Sequence, residues 1–290
     1  MRRINKYHNY SRGRFAALSL ILVLIMSFFG CCNHKKILGP VQEPMTRDQA
    51  LEDFNRNALA VKDFSARIDE WEIQFYEEGN KKQHFNEKGG KIFYRTVREG
   101  EQYPQFYLNA SGGPLGQEAL VVSSNQEEFW MYSRPGKWSY RDTHENAVSL
   151  EAPNMFIMNP QFILEFIGLQ PIPLDILPEP YPIYKVAPEK NYIEYALPGE
   201  NGLREIVIDR RSNLPEQINL YDRLGLRVLE SRLGNYQTLG EAILPGDIYL
   251  SSPNDNTFFR LQLINYQIKD NISDRLFEVP VDFESVSDKS

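Results

Sequence analysis

Two long stretches of this 290-residue chain consist of short segments rich in aromatic and β-branched residues, with glycine, proline or asparagine turns between them. The stretches cover residues 64–143 and 183–269, and neither contains a segment long enough for a helical crossover. Strands joined in this way must pair antiparallel, because parallel neighbours need a connection of a dozen or more residues. The candidate strands are Ser65–Tyr76, Lys91–Arg98, Gln105–Ala110, Ala119–Ser124, Phe129–Ser133, Trp138–Arg141, Ile183–Val186, Tyr192–Leu197, Leu203–Asp209, Glu216–Tyr221, Leu226–Tyr236, Asp247–Ser251 and Phe258–Lys269.

These segments predict a mainly β protein with helices (α+β), built on an incomplete antiparallel β-barrel of about 11–13 strands. A barrel of about eight strands is filled by its own side chains, whereas a wider sheet encloses a space that needs a plug or a ligand. Around Leu263 and Ile264 the apolar phase of the last strand switches, which predicts a β-bulge. We therefore expect a curved sheet wrapped round a hydrophobic cavity.

An amphipathic helix is predicted before the first strand. Thr46 and Gln49 match a capping box, in which two side chains satisfy free backbone amides at a helix start. The apolar residues that follow recur at helical spacings of three and four: Leu51, Phe54, Ala58 and Val61.

Residues 153–182 form an apolar insertion between the two strand-rich stretches. Between residues 153 and 178 only Glu165 and Asp175 are charged. The pair Asn159-Pro160 is typical of a helix start, and Gly168 is typical of a helix end. The prolines that follow exclude a long helix. The insertion is therefore predicted to contain a short helix that serves as a lid or plug, or that belongs permanently to the core.

The candidates for a ligand cavity are apolar side chains of this insertion together with aromatic side chains of the first strand-rich stretch. They are Phe162, Ile163, Phe166 and Ile167 on the insertion, with Trp71, Phe93 and Trp130 from the sheet. The alternative is ordinary packing, since aromatic residues are frequent in strands and apolar stretches usually belong to a core.

The N-terminus has the parts of a secretory signal. Five basic residues precede residue 15, residues 15–29 are uncharged, and Gly30 stands before Cys31 and Cys32. The apolar run is shorter than the roughly 20 residues that a spanning helix needs. A cysteine after a small residue resembles the lipobox of bacterial lipoproteins, which implies cleavage after Gly30 and acylation of Cys31, for example with palmitate. The alternative is an uncleaved signal anchor in which both cysteines are incidental.

The chain is accordingly divided into a lipoprotein signal peptide (1–30), a tether (31–45), one domain (46–284) and a short tail (285–290). Cleavage would leave 27 basic residues against 39 acidic ones, a net charge of −12. A strongly acidic protein is a poor partner for nucleic acid. Nucleic acid is therefore excluded as a predicted partner.

Recognisable catalytic chemistry is missing from the sequence. The two histidines of the predicted domain, His84 and His144, have no metal-ligand spacing and lie in polar sequence, so both are expected to be solvated. The sequence contains neither a Gly-x-Ser-x-Gly elbow nor a complete phosphate-binding loop. We predict that the protein is not an enzyme, with no catalytic residues, cofactor or metal.

A series of turn motifs follows the insertion. They are an Asp-led turn ending in Leu-Pro (Asp209–Pro215), an Asp-x-x-Gly hairpin (Asp222–Gly225), an Asn-Tyr pair (Asn235-Tyr236) and a late Phe-x-x-Pro (Phe277–Pro280). This order resembles the outer-membrane lipoprotein-sorting (LolA/LolB-like) family over roughly residues 46–283. The resemblance implies an incomplete antiparallel barrel round a hydrophobic cavity, with helices as a lid. The best-known members carry the acyl chains of lipoproteins across the periplasm.

The resulting hypothesis is a lipid-anchored member of this family that faces the periplasm and binds acyl chains or another hydrophobic ligand, for lipid or lipoprotein transfer or sorting. An aspartate at the second position of the mature chain would resemble an inner-membrane retention signal. This chain has Cys32 at that position, so the outer membrane is favoured over the inner one. The alternative is an interaction or sensor lipoprotein of the envelope that has a filled core, carries no ligand and contacts another envelope protein.

Overall fold

Sixteen strands and two α-helices make up the described part of the computed structural model. The structure describes residues 47–77, 81–113, 115–134, 136–144, 159–172, 184–187, 192–199, 202–254, 256–281 and 283. All of these residues lie within one compact unit, residues 37–290. The predicted signal peptide, the tether with Cys31, Thr46 of the predicted capping box and the tail lie outside the described residues.

The helices are α1 (Arg47–Ala60) and α2 (Pro160–Phe166), and a 3-10 helix follows at Asp274–Phe277. The strands are β1 (Phe64–Glu77), β2 (Lys81–Lys88), β3 (Gly90–Arg95), β4 (Gln105–Gly112), β5 (Gln117–Ser124), β6 (Glu128–Ser133), β7 (Trp138–Thr143), β8 (Tyr184–Ala187), β9 (Tyr192–Gly199), β10 (Gly202–Asp209), β11 (Leu214–Tyr221), β12 (Arg227–Gly234), β13 (Gln237–Leu239), β14 (Ala242–Leu244), β15 (Asp247–Ser252) and β16 (Thr257–Ile268).

Fourteen of the described strands form one antiparallel sheet that does not close. Its order is β7-β6-β5-β4-β3-β1-β16-β15-β12-β11-β10-β9-β8, with β2 paired to β1, while β13 and β14 form a separate hairpin. The edge strands β7 and β8 are consecutive in the chain, and α2 lies in the connection between them. The incomplete antiparallel barrel predicted from the sequence is confirmed.

The structure contains each of the thirteen predicted strands, and three more strands that the pattern did not indicate. Of these, β2 is a mostly polar strand, and β13 and β14 are only three residues each. The predicted bulge is present, because the pairing of β1 with β16 shifts between Ser65–Gln267 and Arg67–Ile264. Asn265, within the shift, takes a positive φ of 57°. The change of apolar phase in β16 therefore reflects a real irregularity of the ladder.

Strand β1 is the longest pairing surface of the sheet. One side pairs with β16, while the other pairs first with β3 and then with β2. Gly89 and Gly90 join β2 to β3, with Gly89 N donating to Asp69 O at 3.3 Å and Ser111 N donating to Gly89 O at 3.0 Å. This glycine pair is therefore a kink between two strand segments on the same side of β1.

The main core lies between the inner face of the sheet and the two helices. Helix α1 begins before the first strand as predicted, and its apolar seam is buried: Leu51, Phe54, Ala58 and Val61. Helix α2 packs into the same cluster, together with inward side chains of β1, β3, β4 and β16. Alternation along each strand places these apolar side chains on one face of the sheet.

A second, smaller cluster covers part of the sheet on its other face. Val121, Trp130 and Tyr132 pack there against Phe283 of the C-terminal segment. Arg95 holds the preceding 3-10 helix in place. Its guanidinium donates to Gln105 Oε1 at 2.6 Å and to Ile272 O at 2.5 Å, forms an ion pair with Asp274 at 2.8 Å, and lies 4.7 Å from the Phe277 ring centroid.

The turn motifs that carried the family resemblance support one another. The Asp222 carboxylate accepts from the backbone amides of Leu224 and Leu226 at 2.8 Å, which stabilises the hairpin between β11 and β12. The Tyr236 hydroxyl donates to Pro215 O, so the Asn-Tyr and Leu-Pro motifs are directly linked. These residues therefore fix local backbone geometry.

The kink between β2 and β3 yields a stability prediction. Gly90 has a φ of +133°, and a Cβ there would lie 2.3 Å from Asn109 O. Gly100 also has a positive φ, +84°, but nothing lies within 4 Å of its Cβ position. We expect Gly90→Ala to cost about 3 kcal/mol or more, from backbone strain and overlap, and Gly100→Ala about 1 kcal/mol, from strain alone. Urea unfolding measures both, and equal costs would contradict the proposed clash.

Candidate functional site

Helix α2 forms where the sequence predicted it. The Asn159 side chain accepts from Gln161 N at 2.9 Å, and Pro160 occupies the first turn, where its missing amide costs nothing. At the other end Gly168 takes a φ of +79°, and Leu169 N donates to Leu164 O at 2.9 Å. The helix therefore has a defined start and end although it is only 7 residues long.

The apolar side chains of α2 fill the space inside the curved sheet. Ile163, Leu164 and Phe166 are almost completely buried, and Ile167 is 7% exposed. Phe162 is partly buried, with its ring centroid 6.4 Å from that of Phe166. The helix therefore acts as a plug on the inner face of the sheet.

Little space remains beside this plug. A residual apolar cavity of about 10 Å³ lies between Ile163 and Ile167 of α2 and side chains from β1, β3, β4, β15 and β16. A cavity needs roughly 10–15 Å³ by this measure to hold one water molecule. Among the described residues, the interior at this place is therefore essentially close-packed, and an acyl chain would need α2 to move in order to occupy it.

A second cavity, of about 180 Å³, lies on another side of α2, and we call it the polar cavity. Phe54, Pro171, Ile172, Ile206 and Ile218 form its apolar wall, and Glu165, Gln170 and Arg204 supply polar groups.

The ion pair in this cavity joins α2 to the sheet. Arg204 donates to the Glu165 carboxylate, and their side chains are 26% and 23% exposed. Arg204 lies on β10 in phase with Ile206 and Ile208, on the inner face. Burial raises the pKa of Glu165 above its ordinary value of 4.5, although the Arg204 charge and hydrogen bond lower it in part. In the described part of the chain, α2 is thus attached to the sheet by one charged contact as well as by apolar packing.

With this geometry, the chain can be compared with solved structures. It matches an outer membrane lipoprotein-sorting protein domain from Vibrio parahaemolyticus with a TM-score of 0.52 at 10% identity, over 79% of this chain and 94% of that one. It matches a DUF1329 family protein from Desulfovibrio piger with a TM-score of 0.50 at 13% identity, over 83% and 98%. No family model and no curated protein sequence matches the chain.

The chain has the LolA-like fold.

At such low identity the likeness concerns the fold alone. It confirms the architecture that the turn motifs predicted, an open antiparallel sheet with helices against its inner face.

The LolA-like fold brings together five of the seven predicted cavity residues. Phe162, Ile163 and Phe166 on α2 and Ile167 at its C-cap lie in or against the main core. Trp71 lies in the same core, and its Nε1 donates to Ser111 O at 2.7 Å. Trp130 lies in the second cluster, and Phe93 is half-buried with its ring 6.3 Å from Tyr107, which packs against that cluster. Both point away from α2, because the residues immediately before and after them on the same strand face inward.

Helix α1 secures the segment that follows α2. Asn55 Nδ2 donates to Ile172 O at 2.8 Å, and Ile172 N donates to Asn55 Oδ1 at 2.7 Å. Asn57 makes the same pair of bonds with Ile243, at 2.9 and 2.8 Å. The sequence showed these asparagines only as polar positions in an amphipathic helix. In the structure each one hydrogen-bonds both the backbone N–H and the backbone C=O of a residue far away in the chain.

The prediction of two solvated histidines is wrong for His144. Its ring is buried beside Tyr103, at a centroid distance of 4.3 Å, and Nε2 donates to Asn125 O at 2.8 Å. Burial lowers the pKa of His144. His84 is 44% exposed and contacts Glu72 at 2.8 Å.

The described ranges contain neither a cluster of metal ligands nor a helix able to span a membrane. Nowhere in them do three or more His, Cys, Asp or Glu side chains come together as a metal site. None of the helices there is long and apolar enough to cross a membrane.

The raised pKa of Glu165 predicts a pH-dependent contribution to stability. The folded protein favours the protonated carboxyl, so this contribution is full below about pH 4.5 and is lost as the pH rises through the higher folded-state pKa. We expect the free energy of unfolding of the wild type, relative to that of Glu165→Gln, to fall over this range. Urea unfolding at a series of pH values measures the difference, and a difference independent of pH would refute it.

Proposed function

We propose that this chain is a membrane-anchored lipoprotein that faces the periplasm and binds an acyl chain or another hydrophobic ligand between α2 and the inner face of its sheet. It would receive, hold or hand on a lipid or a lipoprotein, and would make or break no covalent bond. The observation that carries the proposal is the plug: an open sheet with an apolar inner face is covered by a short, separately inserted helix.

Two properties of α2 support its exchange with a ligand. Isolated helices shorter than about 12–15 residues are marginal in water, so α2 depends on packing for its stability. An acyl chain offers the inner face the same kind of contact, at about 0.8 kcal/mol for each buried methylene group. Acyl methylenes in place of the α2 side chains would therefore keep the inner face of the sheet buried against apolar groups.

The proposed location is the cell envelope, with the outer membrane favoured over the inner one. Acylated Cys31 would attach the protein to the membrane, and residues 33–45 would span at most about 45 Å when extended. Such a reach suits exchange with neighbouring membrane components and excludes long-distance shuttling of cargo. An envelope protein could act as donor or acceptor.

One observation favours a second function. The cavity of about 10 Å³ beside α2 is the close packing expected of a permanent core. A protein with such a core would be an envelope interaction or sensor lipoprotein that carries no ligand. The two functions differ in whether α2 can be displaced, which a binding experiment measures.

We expect the leaderless chain, carrying Cys31→Ser to prevent acylation, to bind a fluorescent fatty acid with about 1:1 stoichiometry. Phe166→Ala should retain binding, because removing the ring leaves space for the probe. Phe166→Asp should abolish it, because a carboxylate would face the acyl chain. Leu115→Asp, at an exposed hairpin position, is the matched control.

Circular dichroism and unfolding measurements should accompany each titration, because Phe166 is fully buried. If the folded wild type and folded Phe166→Ala both fail to bind micromolar probe, the carrier function is rejected and the filled-core function is supported.

The anchor has its own test. In a bacterial host we expect the full chain to incorporate labelled palmitate and to fractionate with membranes. Cys31→Ser should lose the label, whereas Cys32→Ser, one residue further on, should keep it. Equal labelling of the two variants would argue against acylation at Cys31.

A further inference from the structure

The polar cavity contains more hydrogen-bond donors than the described residues satisfy. Arg204 Nε is buried without a hydrogen-bond partner at this cavity. Nε2 of Gln161 also lacks a partner, and this residue contacts the cavity residue Gln170, whose Nε2 donates to Gln161 Oε1 at 2.7 Å. Unsatisfied buried donors are rare in native proteins and call for an explanation. An excess of donors with one fixed positive charge is the composition of an anion site.

The buried arginine on the other face of the sheet shows the contrast. Arg95 Nε also lacks a partner, but the guanidinium of Arg95 reaches three acceptors, in Gln105, Asp274 and a backbone carbonyl, and lies over an aromatic ring. Its side chain is 4% exposed, as expected of a structural residue. Within the described ranges Arg204 has one acceptor, Glu165, and it borders a cavity of about 180 Å³. Its planar fork therefore retains capacity for a second oxygen ligand.

The acceptor of Arg204 in the described part of the chain belongs to α2, the element that the proposed function displaces. Glu165 lies on α2 between Ile163 and Ile167, so the residues on either side of it face the apolar interior while its carboxylate faces the polar cavity. Displacing α2 would take the carboxylate away from Arg204 and would join the two cavities. The inner face would then present an arginine at β10 beside an apolar surface that extends to β1 and β3.

We propose that the polar cavity receives the anionic head group, a carboxylate or a phosphate, of an amphiphile whose acyl chain replaces α2, and that Glu165 occupies the head-group position while α2 is in place. The assignment rests on the proposed function, since it requires an acyl ligand. It names Arg204 as the residue that selects charged amphiphiles over neutral ones.

The cost of leaving Arg204 unpaired produces the selectivity. A neutral ligand that displaces α2 breaks the contact with Glu165 and supplies nothing in its place. An anionic ligand forms a new charge-assisted hydrogen bond with the same guanidinium. Such bonds are worth about 1.5–3 kcal/mol, which corresponds to a preference of roughly tenfold or more for the anion.

The test uses the full chain in a nonionic detergent, with native mass spectrometry to count bound ligand. The probes are palmitate, hexadecyl phosphate and hexadecanol, which share a chain length and differ in the head group. We expect the wild type to bind both anions roughly tenfold or more tightly than the alcohol. Arg204→Gln should remove that preference. Arg67→Gln, which changes an exposed arginine on β1, should keep it.

A second variant keeps the proposal testable even if Arg204→Gln misfolds. Glu165→Gln replaces the competing carboxylate with a weaker partner, so it should tighten the binding of palmitate, a gain that misfolding cannot produce. Weaker palmitate binding by folded Glu165→Gln would overturn the role assigned to Glu165.

The remaining outcomes distinguish a failure of the head-group site from a failure of the proposed function. If all three probes bind equally and Arg204→Gln changes nothing, the head-group site is rejected while hydrophobic binding stands. If no probe binds to folded protein, the proposed function itself fails. If inorganic phosphate alone binds as tightly as hexadecyl phosphate, the site belongs to a free anion and the assignment to an amphiphile is wrong.

Discussion

The inner face of the fourteen-stranded sheet is apolar, and an open sheet cannot cover that face with its own strands. Water must be kept away from it, because exposed apolar surface costs about 25 cal/mol for each Å². Helices α1 and α2 supply the cover, and they are held differently. Among the residues that the structure describes, Asn57 ties α1 to the backbone of β14 and Asn55 ties it to Ile172 after α2, whereas α2 itself contacts the sheet through apolar side chains and one ion pair. Much of the structure's proposed behaviour depends on that difference.

The ion pair is an unusual way to secure a plug. Moving charged groups out of water is costly, and an apolar pair of similar size often stabilises a protein equally well. The raised pKa of Glu165 reflects this cost. An apolar contact at the same place would hold α2 without favouring any ligand. Under the proposed exchange, the pair of Glu165 and Arg204 would instead favour a ligand whose negative charge replaces that of Glu165.

The sequence predicted the helices and strands better than it predicted which side chains of each strand face the interior. Turn residues separated the strands, and Asn159, Pro160 and Gly168 marked both ends of α2 because capping is local chemistry. The orientation of Phe93 and Trp130 could not be predicted from the sequence. Alternating side chains define the two faces of a strand but do not show which face points to the interior. The burial of His144 depends on Tyr103 and Asn125, which are distant in the chain. Arg204 did leave a signal, an arginine in phase with Ile206 and Ile208, whose partner lies 39 residues earlier.

The two edge strands of the sheet, β7 and β8, are joined covalently through the segment that contains α2. The plug and the two margins of the sheet therefore belong to one stretch of chain, because β7, α2 and β8 follow one another in sequence. A change of sequence at either margin is thus a change in the same connection that carries α2.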